Sequence, residues 1–447
     1  METLLLVFFV IGYTCITLEH KFKIDKLIPA LIMMALMWAG VAFGLDGFVS
    51  WYDSHAQKLI DGFSGFGHEE RLHIMESTLL HHFGKTAEIL VFLLCAMTIV
   101  EITDHFNGFG SIKQFVRTRN KRVLLWIVGG LAFVLSSIID NLTATIVLIT
   151  ILRKLIPDST DRKWYAGMII ITANAGGAWS PIGDVTTTML WIGNRVSTVS
   201  LLTHLVIPSL VCAVLPMVVA SFLPSFRGSV ELPKEDKDEK PASLSMLMLG
   251  LGAIVFVPIF KTVTHLPPYI GMVLALAVVA IVAEIKSHRK FTMAAVQTHH
   301  SPLHGSLSKI ELPSILFFLG ILMAVASLES IGSLFQFANS INAAIPNTDI
   351  VVILLGAASA VIDNVPLVAA SMGMFQLPMD HYIWHFIAFS AGTGGSMLII
   401  GSAAGVVAMG MEKIDFMWYL KNIAWLAAVG FLAGAGAFMF MIHIFGL

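Results

Sequence analysis

The feature of this sequence that most restricts its fold is the position of two carboxylates inside apolar segments. Asp140 and Asn141 interrupt one apolar run, and Asp363 and Asn364 interrupt another. The chain is 57% hydrophobic and 13% charged, whereas about a quarter of the residues in a soluble domain are charged. Its apolar runs are roughly 17–25 residues long, as a membrane-crossing helix requires. The sequence therefore predicts an all-α polytopic membrane protein and argues against a transmembrane barrel.

The two Asp-Asn runs belong to two halves of the chain that resemble each other. Each half is predicted to contain three spans, an Asp-Asn run too short to cross twice, a glycine-interrupted segment and a final span. The two aspartates are 223 residues apart, and Gly176 and Gly394 of the interrupted segments are 218 apart. Broken helices at equivalent positions of a duplicated chain are typical of secondary transporters. Close helix packing alone also explains glycine-rich segments, but it does not explain the repeated Asp-Asn runs.

These spacings divide the chain into two repeats. We predict a first transmembrane repeat over residues 1–223, a cytoplasmic linker over 224–243 and a second transmembrane repeat over 244–447. The start of the chain is interpreted as a retained span because no basic segment precedes it. About ten spans and two re-entrant hairpins result. The hairpins are predicted near 122–153 and 350–377, and the broken helices near 164–193 and 382–411.

The basic residues predict the orientation of the chain. With the N-terminus outside and each Asp-Asn run folded as a re-entrant hairpin, the cytoplasmic stretches contain 22 of the 27 Lys and Arg residues. These stretches are 19–26, 104–122, 153–163, 224–243, 286–311 and 412–421. Such an excess on one side follows the positive-inside rule. We therefore expect inverted repeats in the bacterial cytoplasmic membrane, with the first hairpin entering from the cytoplasm, the second from outside, and both termini outside.

The hairpin tips and helix breaks are predicted to bind a cation or a proton. Backbone groups without helical partners are tolerated at membrane depth only where they face protein or a wet cavity. Freed carbonyls, hydroxyls and carboxylates are hard oxygen ligands that suit a small alkali cation, Na⁺ or Li⁺. The predicted site residues are Asp140, Asn141 and Thr143 at the first tip, with Asn174, Ser180, Gly183, Asp184 and Thr186 opposite, and Asp363 and Asn364 at the second tip, with Thr393, Ser396, Gly401 and Ser402 opposite.

The two predicted sites are unequal, because Asp184 stands in the first break where the second has Ser402. An ionised carboxylate inside a membrane costs roughly 2.5–3.5 kcal/mol even on lenient insertion scales, so Asp140, Asp184 and Asp363 are the predicted Na⁺ ligands. When two carboxyl groups share a dry site, the second is harder to ionise. A proton and a metal cation then compete for it, which is the requirement for exchange.

Other polar residues leave alternatives open. Asn141 and Asn364 can instead satisfy backbone groups at the tips. Glu101 and Glu329 near the ends of the third spans are possible proton relays, although Glu101 can equally be an interface residue. The interval 46–85, which contains five histidines, is predicted to be an exposed polar loop, with pH sensing as the alternative.

The sequence also limits the cofactors and partners that we expect. No run resembles a nucleotide-binding loop, so neither ATP nor nucleic acid is an expected partner, and membrane lipid is. The three cysteines, Cys15, Cys95 and Cys212, all lie in apolar runs and imply no disulfide framework. We expect no cofactor, and Na⁺ or Li⁺ and H⁺ are the expected transported ions.

Five stretches of the chain resemble the NhaD-type sodium/proton antiporters of the ion transporter superfamily. They are residues 87–102 (AEILVFLLCAMTIVEI), 139–145 (IDNLTAT), 176–187 (GGAWSPIGDVTT), and 318–322 (FLGIL) with 363–366 (DNVP). The resemblance implies a secondary active antiporter that exchanges Na⁺ or Li⁺ for H⁺ by alternating access. It also implies a homodimer in which a transport part moves against a scaffold part. Symporters of that superfamily have Ser-Asn-Thr at the tips, where this chain has Asp-Asn.

Three other functions compete with this interpretation. A symporter of a carboxylate or oxyanion from the same superfamily would need a pocket rich in donors, whereas both tips carry acids. An intramembrane aspartyl protease could use Asp140 and Asp184, but Pro181 stands where the protease signature has glycine, and the second Asp-Asn run would have no use. A passive cation channel would not need inverted repeats with interrupted helices.

Overall fold

The computed structural model describes residues 1–17, 23–53, 58–60, 62–116, 118–230, 243–291, 301–310, 312–361 and 364–445. Parts of the sequence predictions therefore lie outside the described residues, including Asp363 of the second tip, His55, positions 231–242 of the linker, and parts of the predicted cytoplasmic stretches 19–26, 104–122 and 286–311. The described chain is almost entirely helical. Its two strands, Tyr52–Asp53 and Lys58–Leu59, are two residues each and pair antiparallel.

The first half contains eight α-helices among the described residues. They are α1 (Glu2–Thr17), α2 (Leu27–Phe43), α3 (His68–His105), α4 (Lys121–Ile139), α5 (Asn141–Leu155), α6 (Ser159–Gly177), α7 (Val185–Ile192) and α8 (Thr198–Ala220). Only Asp140 separates α4 from α5, and the two helices contact each other as a hairpin. Seven non-helical residues separate α6 from α7, which together form the first broken helix. Side-chain caps start several of these helices, as Asn120 does for α4 and Asp158 for α6.

The second half repeats this order. It contains α9 (Leu244–Thr264), α10 (Pro268–Phe291), α11 (Pro302–Leu307), α12 (Leu312–Ser330), α13 (Ser333–Ala344), α14 (Thr348–Ala358), α15 (Asn364–Met374), α16 (Tyr382–Gly394), α17 (Ala403–Glu412), α18 (Phe416–Asn422) and α19 (Ala424–Phe445). α14 and α15 form the second hairpin. α16, a 3₁₀ turn at Gly395–Met397 and α17 form the second broken helix. This break forms without a proline, since Ile399 occupies the position of Pro181.

Seven helices among the described residues are long and apolar enough to cross a membrane. One of them, α4, belongs to the first hairpin. The other six, the shorter apolar helices α1 and α2 and the two broken helices make ten spans. The predicted fold class, an all-α membrane protein with two repeats that each contain a hairpin and a broken helix, is thus confirmed.

Contacts near the ends of the helices show that the two hairpins open toward opposite ends of the molecule. At one end, Arg153 of α5 and Arg162 of α6 bind Glu412 of α17, with Nε to carboxylate distances of 2.7 and 2.8 Å. At the other end, the Asp380 carboxylate, beyond α15, accepts a 2.6 Å hydrogen bond from the Ser197 N–H. The open end of the first hairpin therefore lies beside the end of the second broken helix, and the open end of the second hairpin lies on the opposite side. The repeats are inverted.

The predicted exposed loop over 46–85 is wrong from residue 68 onward. His68, His73, His81 and His82 all lie on α3, whose 38 residues span about 57 Å at 1.5 Å per residue. The hydrocarbon core is only about 30 Å thick, so the polar first half of α3 extends beyond it. The part of a helix that extends beyond the membrane is no longer apolar, so its sequence resembles that of a polar loop.

Each hairpin touches its broken helix through backbone atoms, and the contacts repeat between halves. A Cβ atom built on Gly176 would lie 2.2 Å from the Phe133 carbonyl oxygen, and one built on Gly394 would lie 2.0 Å from the Gly356 carbonyl oxygen. Each pair occupies equivalent positions of the two repeats. No side chain fits at either glycine unless the backbone moves.

We expect Gly176→Ala to prevent folding or to lower the melting temperature by several degrees, because the new methyl group collides with backbone rather than with a movable side chain. The matched variant is Gly130→Ala in α4, where nothing lies within 4 Å of the added atom. There alanine should stabilise the helix by about 0.5–1 kcal/mol. Thermal unfolding of both purified variants tests this, and equal melting temperatures would contradict it.

Candidate functional site

The first hairpin turns at Asp140 in a backbone conformation that is rare for any residue except glycine. Its φ is 75° and its ψ is 157°, in a region that costs of order 1–3 kcal/mol for other residues. Its carboxylate accepts hydrogen bonds from the Thr143 N–H (2.8 Å) and the Thr143 hydroxyl (2.9 Å). This cap satisfies one of the free N–H groups at the start of α5. A strained residue at a tip marks a candidate functional position.

A cavity of about 90 Å³ lies against this tip. On one side it meets the polar residues of the tips and the first break: Asp140, Asn141, Thr143, Asp184, Thr188 and Asn364. On the other side it meets an apolar wall from α3, α9, α10 and α12: Phe92, Leu93, Ala96, Met97, Val100, Ile254, Met272, Phe317 and Phe318. Two carboxylates therefore face one largely apolar cavity. Its volume exceeds what a single water molecule requires.

Asp184 caps the start of α7 and is 2% exposed. Its Oδ1 atom accepts from the Thr186 N–H at 3.3 Å, and its Oδ2 atom accepts from the Asn364 amide at 3.1 Å. The second tip thus reaches the first break. Thr186 is fully buried, and its hydroxyl has no hydrogen-bond partner in the described part of the chain. Thr186 does not line the cavity, but it follows Asp184 by two residues, and such an orphaned hydroxyl is a candidate ligand for a cation.

Asn174 connects the first tip to the second break. Its Oδ1 atom accepts from the Asn141 amide at 3.0 Å, and its Nδ2 atom donates to the Ser396 and Ser402 hydroxyls, both at 2.9 Å. The sequence paired each tip with the break of its own half. The Asn141–Asn174 bond lies within the first half, as in that pairing. The bonds from Asn174 to the two serines and from Asn364 to Asp184 cross between the halves, because all four elements meet at the centre of the molecule.

The remaining predicted site residues make local contacts and do not line this cavity. The Ser180 hydroxyl accepts from the Ile182 N–H, and the Thr393 hydroxyl donates to the Phe389 carbonyl. Gly183 and Gly401 pack against the hairpins, where added Cβ atoms would lie 2.7 Å and 2.5 Å from backbone oxygens.

The two predicted relay acids also lie away from the cavity lining. Glu101 is on α3 and has Asp104 and Lys309 as charged neighbours. Glu329 is on α12 and packs beside Gly373 of the second hairpin.

Sequence reasoning missed the polar residues Lys26 and Thr188 and the whole apolar wall of this cavity. Lys26 lines it, with its Nζ atom 4.6 Å from the centre of the Phe317 ring. A lysine at the start of a span normally indicates only the orientation of that span in the membrane. The sequence around Lys26 therefore does not indicate that it lines a cavity. Thr188 was the easier one to find, since it follows Asp184 by four residues and therefore lies on the same face of α7. The apolar wall depends on distant helices and leaves no local motif.

Within the described ranges, no cluster of three or more His, Cys, Asp or Glu residues could hold a metal ion. Inverted repeats whose hairpin tips and broken helices converge on one cavity are typical of a secondary transporter. Residues 6–387 match a family model described as a citrate transporter, CitMHS. The chain belongs to this family.

Several relatives that match nearly the whole chain have more specific names. The chain is 42% identical to sodium/proton antiporter 1 of Arabidopsis thaliana over 96% of its own length and 71% of that protein. It is 39% identical to sodium/proton antiporter 2 of the same plant, over 98% and 99%. It is 32% identical to the Na⁺/H⁺ antiporter NhaD of Vibrio cholerae, over 93% and 87%.

A solved structure supports the fold independently. The YdaH transporter of Alcanivorax borkumensis superposes with a TM-score of 0.58 at 13% identity and covers 93% of this chain and 98% of its own. At this identity the likeness concerns the fold alone.

The strain at Asp140 allows a test that separates function from stability. Asp140→Gly removes the carboxylate but adopts the observed φ without cost. Glycine also replaces a capping residue at a cost of only a few tenths of a kcal/mol. We expect this variant to keep or raise the melting temperature and to lose cation-dependent proton exchange. A folded variant with unchanged exchange would show that the tip carboxylate is dispensable.

Proposed function

We propose that this protein is an integral membrane antiporter that exchanges Na⁺ or Li⁺ for H⁺ by alternating access. The observation that carries the proposal is that Asp140 and Asp184 line one largely apolar cavity between the tips and the apolar wall. A cation in that cavity is attracted to a carboxylate with little screening from water. Relatives named sodium/proton antiporters, matched over nearly the whole chain, support the same activity.

Competition between a cation and a proton for the Asp184 carboxyl group explains how one ion is exchanged for the other. When its carboxyl group is ionised, it binds a cation together with nearby hydroxyl and amide oxygens. When a proton arrives, the neutral acid no longer holds the cation. The Asn364 amide, which donates to Oδ2, fixes the orientation of the carboxylate, and the capped tip at Asp140 adds a second negative charge. Alternating exposure of this site to the two sides then couples the movement of the two ions.

Transport of citrate fits this cavity less well, although the family description names that anion. Two carboxylates repel a multivalent anion, and Lys26 is the one basic residue in the lining. A cavity of about 90 Å³ also suits a partly hydrated small cation better than a tricarboxylate. We therefore place this chain among the cation exchangers of its family.

The location and assembly follow from the same proposal. We propose the bacterial cytoplasmic membrane, with both termini outside and a homodimer in surrounding lipid. The proton and sodium gradients supply the energy, so neither ATP nor a bound cofactor is part of the proposed cycle. Asp363, outside the described residues, is proposed as the counterpart of Asp140 at the second tip.

Exchange in proteoliposomes with an imposed ΔpH tests the function. Addition of Na⁺ or Li⁺ should dissipate the pH gradient, and parallel additions of K⁺ and Ca²⁺ define the selectivity. Asp140→Asn, Asp184→Asn and Asp363→Asn should each lower the rate at least tenfold, because an amide cannot exchange a cation for a proton. Asp46→Asn, at an exposed position outside the cavity lining, is the control. Full activity of all three variants would refute the proposal.

The orphaned Thr186 hydroxyl gives a second test, because it has no hydrogen bond to lose. Thr186→Val should leave the melting temperature unchanged or raise it. If the hydroxyl is a ligand, the Na⁺ concentration for half-maximal exchange should rise about tenfold, which corresponds to about 1.4 kcal/mol.

Thr98→Val, at another buried threonine outside the cavity lining, should leave that concentration unchanged. A Thr186→Val protein with wild-type Na⁺ dependence would exclude the hydroxyl as a ligand.

A further inference from the structure

The two breaks form two pockets that occupy equivalent positions of the inverted repeats. Pocket 1 lies at Asp184 and Ala178, and a Cβ atom built on Gly392 would lie 3.3 Å from the Asp184 Oδ2 atom and 3.5 Å from the Ala178 Cβ atom. Pocket 2 lies at the equivalent residues, Ser402 and Ser396. The residue that faces pocket 2 from the position of Gly392 is Asn174.

Pocket 2 is filled by the Asn174 side chain. Both hydrogens of its amide nitrogen are used, one for the Ser396 hydroxyl and one for the Ser402 hydroxyl, each at 2.9 Å. Its Oδ1 atom accepts from the Asn141 amide at 3.0 Å. Asn174 and its three partners are all buried. The partially positive NH₂ group thus lies among oxygen atoms, as a cation would.

Pocket 1 lacks an equivalent side chain. Gly392 contributes only backbone there, and the residue opposite is a carboxylate instead of a hydroxyl. The cavity described above reaches Asp184 and Asn364, whereas Ala178 and Gly392, like Asn174, Ser396 and Ser402, are absent from its lining. The carboxylate of pocket 1 is therefore reached from the cavity, whereas pocket 2 is closed and neutral.

We infer that Asn174 replaces a cation in pocket 2, so that each chain binds a single transported cation, in pocket 1 beside Asp184 and Gly392. This inference rests on the proposed function and specifies its site. It changes the role of Asn174, which the sequence suggested as a cation ligand. Three differences distinguish the pockets within an otherwise repeated frame: Gly392/Asn174, Ala178/Ser396 and Asp184/Ser402.

The test counts bound ²²Na⁺ per chain at saturation in the full-length protein reconstituted in lipid nanodiscs. The wild-type protein should bind one ion. Gly392→Asn places an amide against Asp184 and should lower Na⁺ affinity at least tenfold. Asn174→Asp places a carboxylate between the two serine hydroxyls and should raise the count from one to two.

Gly410→Asn is the matched control for an added asparagine. It lies on α17 of the same broken helix, and nothing lies within 4 Å of a Cβ atom built there. It should bind one ion with wild-type affinity. Melting temperature and gel filtration confirm that each variant is folded. If one variant does not fold, the other variant and the number of ions bound by the wild-type protein still test the inference.

Two bound ions per wild-type chain would overturn the inference, as would wild-type affinity in folded Gly392→Asn or a single ion in folded Asn174→Asp. These outcomes leave the exchange activity of the wild-type protein intact. Failure of the proposed function is different, since the wild-type protein would then bind no Na⁺ and show no Na⁺-dependent pH change.

Discussion

Direct backbone contact between each hairpin and its broken helix is the interaction on which the rest of the structure depends. At Gly176 and Gly394 the helices approach until only a hydrogen atom fits between them and the opposite carbonyl. This approach brings the tips and breaks together within hydrogen-bonding distance of one another. The free backbone groups of the two hairpin tips and the two broken helices are then buried in protein rather than in lipid, which is the condition for irregular backbone at this depth.

A duplicated frame of this kind permits the two halves to differ in chemistry while they keep the same geometry. The Ser136 hydroxyl donates to the Ala173 carbonyl in the first half, and the Ser359 hydroxyl donates to the Ala391 carbonyl in the second. Such contacts maintain the frame. The polar residues at the centre are free to diverge, as Asp184 did from Ser402.

The sequence predicted the repeated elements because their signals are local: an acid in an apolar run, paired glycines, and basic loops. It also predicted that Asp140 and Asp184 share a site. It did not predict that Asn364 donates to Asp184, since that bond joins residues of different halves. The polar start of α3 was mistaken for a loop, because periodicity disappears where a helix leaves the membrane. The apolar wall is set by tertiary packing, which no single segment encodes.

The ion cluster at Glu412 has a mechanical consequence. Its carboxylate, 1% exposed, holds Arg153 of the first hairpin and Arg162 of the first broken helix, while its own helix, α17, ends the second broken helix. Three elements from both halves are thus fastened at one end. At this end the three elements cannot shift past one another without breaking these two ion pairs, so the cluster favours their movement as one unit. By contrast, contacts along the apolar wall are non-directional and constrain a shift of that unit less.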